Sequence, residues 1–120
     1  MTRSPAWTPA ENAAIVRLYF AMLDAATTGQ PYNKAAMIRI AQTGGGSVTQ
    51  PRPLQMRSKQ SIEFKLMNCS AAHASLDPNA ETMHSHGYRA MPNYQADLKI
   101  AMAAALADRE FADDCRSLEA

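Results

Sequence analysis

One short run, from Arg57 to Asn68, carries Arg57, Ser58, Lys59, Ser61, Lys65 and Asn68. Lysine and arginine neutralise phosphates, while serine and asparagine bond to phosphate oxygens or base edges without filling a groove. Ser61, Lys65, Asn68 and Ala72 recur at steps of four, three and four, so on a helix they form one narrow stripe. Lys34 and Arg39 lie upstream as further cations. A second group, Tyr88, Arg89, Asn93 and Tyr94, sets aromatic rings beside an arginine and an amide, a combination able to stack on an exposed base or hold a phosphate. For Asn93 and Tyr94 the plainer reading is a helix cap and a core ring.

A third group has the donor types of a zinc site: Cys69 and His73 four apart, then His84 and His86. Their spacing matches no standard zinc module, and a buried cysteine with a singly bonded histidine is an ordinary core arrangement. Core packing is the preferred reading, and no metal or cofactor is expected. No glycine-rich phosphate loop follows a strand, and neither a Gly-x-Ser-x-Gly elbow nor a His-Glu-x-x-His pair occurs. A non-catalytic protein is expected.

These residues need helices to place them. Thr8-Pro9-Ala10-Glu11 is a capping box with proline at the first helical position. Ile15, Leu18, Tyr19, Met22 and Leu23 continue it as one apolar stripe, predicting a helix over about Pro9 to Thr28. Asn33 opens a second helix, Lys34 to about Gln42. Thr43 to Arg57, with three glycines and two prolines, reads as a loop. Ser58 caps a third helix running to about Ser75, with Ile62, Leu66, Cys69 and His73 on one side. Residues 77–92 are irregular, and a last helix is expected from Asn93 or Tyr94 to about Arg116. The expected architecture is a single all-α domain over residues 1–120: a three-helix unit, about 7–76, followed by a long C-terminal helix.

The bulk composition agrees. Apolar residues make up 47% and charged residues 19% of the 120-residue chain, as in an ordinary globular domain. No stretch approaches the roughly 18 apolar residues needed to cross a bilayer. Met1 to Pro9 has no apolar run of a signal peptide, and the two cysteines fall in helical segments, so a cytoplasmic protein with reduced thiols is expected. The net charge of +1 conceals an asymmetry. Residues 1–76 hold eight of the cations and three acids, residues 77–120 four cations and eight acids, so the halves carry +5 and −4. A field of one sign over part of a small protein attracts a polyanion whatever the total, although a solvated face has the same composition.

Trp7-Thr8-Pro9-Ala10-Glu11, followed by three helices of which the third is basic at its start, resembles a Myb/SANT-like helix-turn-helix. In such units the third helix enters the major groove. A wider resemblance rests on Trp7-Thr8-Pro9, Pro31-Tyr32-Asn33-Lys34-Ala35, the whole run Arg57 to Asn68, and Gly87-Tyr88-Arg89 with Pro92-Asn93-Tyr94-Gln95. In this order the segments resemble the N-terminal helical domain found ahead of HNH-type nuclease domains in bacterial restriction-like proteins, over about Trp7 to Met102. The resemblance implies a bacterial or phage module, related to host defence, that targets foreign or modified DNA while any cleavage resides on another domain. The chain departs from that pattern in the long Thr43–Met56 connection, in Ala90 where proline is usual, and in Cys69 and His73 where aliphatic residues are usual.

The expected function is DNA binding, with Arg57, Ser58, Lys59, Ser61, Lys65 and Asn68 as an exposed recognition surface. Lys34 and Arg39 would sit on adjacent phosphates, Tyr88 and Arg89 nearby, and Trp7 would be tucked against the third helix as a core anchor. The alternative is a protein-interaction module acting on a defence or nuclease complex, such as a phage-encoded inhibitor, with the acidic C-terminal half as its contact surface.

Overall fold

A computed structural model describes residues 6–43 and 53–119, with four α-helices, one 3-10 turn and, among the described residues, no strand. Helix α1 (Pro9–Thr27) opens on the capping box: Thr8 Oγ1 accepts from the Glu11 N–H at 3.1 Å, and Glu11 Oε1 accepts from the Thr8 N–H at 2.9 Å. Helix α2 (Lys34–Thr43) begins where Asn33 Oδ1 takes the Ala36 N–H at 3.0 Å. Helix α3 (Lys59–Leu76) is capped by Ser58, whose hydroxyl accepts from the Ser61 N–H at 3.1 Å. Each side chain satisfies an amide that the first helical turn leaves without a partner.

Helix α1 is the centre of the molecule and packs against the other three helices and the turn. Its buried residues include Ile15, Val16, Leu18, Tyr19, Phe20, Met22 and Leu23, which lie on more than one face, as a helix surrounded by neighbours requires. Ile38 enters from α2, Leu54 from the segment before α3, and Ile62, Leu66, Cys69 and Ala72 from α3. Each fully buried isoleucine, leucine, valine, methionine or phenylalanine side chain contributes about 1.5–3 kcal/mol before the entropy of ordering is subtracted.

The C-terminal helix α4 (Ala96–Glu119) lies against α1 and α3 through Leu98 and Met102. It starts later than the sequence pattern predicts. Met91 N donates to Met67 O on α3 at 3.1 Å, and Tyr94 N to Pro92 O at 3.0 Å, so residues 91–94 are held against α3 outside the helix. Asn93 is therefore not its cap, whereas Tyr94 does pack half-buried against the core. Arg109 fastens the far part of α4 to the end of α1, reaching both Asp24 carboxylate oxygens at 2.7 and 3.1 Å while lying 4.3 Å from the Phe20 ring centre. No helix among the described residues is long and apolar enough to cross a membrane.

Trp7 lies beside α3, as expected, but is not sealed in the core. It packs against the core only half-buried, with the Arg57 guanidinium 4.7 Å and the Lys65 ammonium 5.2 Å from its ring. Such a ring holds cations as much as it fills space.

Candidate functional site

The exposed stripe expected on α3 is interrupted at both ends. Arg57 is buried, and its Nε and Nη2 donate to Glu11 Oε2 and Oε1 at 2.5 and 3.0 Å, while Nη2 also donates to the Ala6 carbonyl at 3.0 Å. The guanidinium beside it holds the Glu11 carboxyl down to about 2. A cation fixed by a buried carboxylate is not on the surface to meet a phosphate. Asn68 is buried as well: with its amide nitrogen turned toward them, it donates to the Met91 and Asn93 carbonyls at 2.8 and 3.3 Å. Lys65 is half-buried along Trp7, and this burial lowers its ammonium pKa. Of the run, Ser58 and Lys59 are exposed and Ser61 is partly so, the two serines joined hydroxyl to hydroxyl at 3.1 Å. Arg39 is exposed on α2.

Lys34, Tyr88 and Arg89 do come together, at a cavity of about 210 Å³ between α1, the start of α2, α3, the 3-10 turn (Met83–His86) and the segment after it. Its deeper wall is apolar, with Met22, Leu66 and Met83 beside Tyr19. The more exposed lining is Lys34, Glu63, Tyr88 and Arg89. Gly87 makes this possible. Its φ of +93° is one that side-chain-bearing residues rarely adopt, and it turns the chain so that Tyr88 N reaches Met83 O at 3.2 Å. His84 Nδ1 then donates to the Tyr88 carbonyl at 2.8 Å, and Tyr32 donates hydroxyl to hydroxyl onto Tyr88 at 3.2 Å. The Lys34 ammonium lies 5.3 Å from the Tyr88 ring centre and 3.9 Å from Glu63, which is equally close to Lys59. One carboxylate thus faces two lysines with Arg89 nearby, which leaves the mouth positive.

The cysteine and histidine residues separate. Cys69 is sealed in the core, where burial raises its thiol pKa well above the ordinary value. His73 is buried with Nδ1 2.9 Å from the Tyr19 hydroxyl, and burial pulls its pKa down. His84 is committed to the Tyr88 carbonyl, and His86 lies on the surface 3.3 Å from Glu81. Among the described residues no three histidine, cysteine or acidic side chains gather as a metal site would require.

Tyr32 and Glu63 join the site without having been expected there. Glu63 stands four residues after Lys59, a spacing that marks a helical ion pair, but nothing in sequence signals that Tyr32 meets Tyr88. The chain matches no protein-family model, no curated protein and no solved structure.

Proposed function

We propose that this chain is a non-catalytic DNA-binding module, related to the targeting domains of restriction-like nucleases, with α1 to α3 as its Myb-like unit. The observation that supports this most is the meeting of Lys34, Tyr88 and Arg89, from two distant parts of the chain, at the mouth of one apolar cavity, with Lys59 one carboxylate away. Lys34, Lys59 and Arg89 would take the phosphates, and Tyr88 would offer a ring face to a base. The surface so defined lies at the α2–α3–turn junction and not along the outer face of α3. Titration of a labelled duplex at two salt concentrations tests it. Binding that falls steeply with salt is expected, because each phosphate contact displaces condensed counterions.

The burial of Arg57 and Asn68 favours a second reading, a protein-interaction module, since it removes two of the expected DNA contacts. Absence of binding at both salt concentrations would make that reading the better one.

A further inference from the structure

Helix α4 has a second apolar face. Ile100, Ala104, Ala107 and Phe111 recur at steps of four, three and four on the side opposite the buried Leu98 and Met102. Ile100 is 66% exposed and Phe111 70%, and Ala103, Ala104 and Ala107 between them are exposed too. Large apolar side chains this exposed, on a regular helix and in register, gain nothing from solvent.

We propose that this face pairs with the same face of a second copy, the two α4 helices running antiparallel about a two-fold axis near Ala104 and Ala107. The order of sizes is self-complementary. Reversing large, small, small, large reproduces it, so the alanines of the two helices meet at the axis and let the backbones approach. Ile100 of each copy then packs beside Phe111 of the other, as an isologous interface demands.

The charges select the antiparallel sense. Lys99 and Glu110 lie on the same flank of the stripe, and antiparallel packing sets like flanks together. With the axis midway between Ala104 and Ala107, Lys99 falls two residues, roughly 3 Å of helix rise, from the level of Glu110 of the second copy. The pair forms twice. On the other flank Asp108 is the acid nearest its like, five residues out of level with Asp108 of the second copy, roughly 7.5 Å. A parallel pair would set unlike flanks together, so that Lys99 meets Asp97 of the other copy while Glu110 meets its Asp108 at the same two-residue offset, and the attraction and the repulsion offset each other. A face of about three turns covers less than the roughly 800 Å² per partner of a standard interface, so the dimer is reversible and dissociates on dilution. This inference does not rest on the DNA-binding reading.

Sedimentation equilibrium of the whole chain, over roughly a hundredfold range of concentration, tests it without DNA. The wild type should pass from monomer to dimer. Phe111→Glu and Ile100→Glu should each weaken association by about tenfold or more, with melting of the dilute monomer unchanged because both positions are exposed. Lys99→Glu and Glu110→Lys should each weaken it, and the double exchange should restore it. A wild type that stays monomeric throughout, a dimer indifferent to Phe111→Glu, or a double exchange that fails to restore association would each overturn the proposal.

Discussion

Glu11 accepts the Thr8 N–H at the start of α1 and, with the same carboxylate, two nitrogens of Arg57, so a helix cap also clamps the chain entering α3. Removing one partner of a buried pair strands the other charge, so Arg57→Met should cost roughly 3–5 kcal/mol in urea unfolding at neutral pH. The acid side carries its own signature. The Glu11 carboxyl titrates at about 2 in the fold against an ordinary 4.5, so its stabilisation is complete above about pH 4.5 and is lost as the pH falls toward 2. Glu11→Gln should flatten the stability profile across that window, and a variant with the wild-type slope there would show that the pair contributes nothing. Tyr19 serves the core in a similar way, its hydroxyl lying 2.9 Å from His73 Nδ1 and accepting from the Met83 N–H at 3.4 Å. Tyr19→Phe leaves both buried groups unpaired and should lower stability by about 1–3 kcal/mol in thermal or urea unfolding. Burial keeps His73 neutral in the fold, so below its ordinary pKa of 6.5 the unfolded chain binds a proton that the folded one resists, and stability declines as the pH drops.

At the level of elements, Asn68 connects α3 to the segment that leads into α4. Its amide nitrogen faces two carbonyls, of Met91 and Asn93, so a carboxylate in its place would set acceptor against acceptor. Asn68→Asp should therefore destabilise more than Asn68→Ala, itself worth about 1–3 kcal/mol, and equal melting temperatures for the two variants would refute the orientation given to the amide. The same interaction explains what local pattern reveals and what it conceals. Thr8 to Glu11 and Ser58 to Ser61 are legible because a cap and its amides lie within one turn, and both helices begin where those residues place them. The start of α4 is illegible because Asn93 has the type of a cap while residues on α3 hold Met91 and Asn93 outside the helix. Arg57 has the sequence context of a surface cation because Glu11, its partner, lies 46 positions away and already has a local role in the capping box. The cavity is invisible in sequence for the same reason: its lining comes from three helices, a turn and Gly87, whose left-handed backbone no composition count can place.

Across the whole molecule, the charge asymmetry of the sequence becomes a spatial one. The basic part holds α1 to α3, whereas α4, whose 24 residues span about 36 Å, draws its residues from the acidic half. A polyanion approaching the mouth of the cavity would meet Lys34, Lys59 and Arg89 against one carboxylate, Glu63. Lys34 and Arg89 do not belong to the buried core, so replacing both with alanine should shift stability by no more than about 0.5 kcal/mol per site. The measurement that bears most directly on function compares the salt dependence of duplex binding for the wild type and Lys34→Ala/Arg89→Ala. If these two side chains hold phosphates, the double variant should bind more weakly, and the slope of log K against log salt should flatten by about two units, close to one for each phosphate no longer neutralised. A double variant that melts like the wild type and binds DNA with the same affinity and slope would contradict the assignment of this mouth as the DNA-contacting surface.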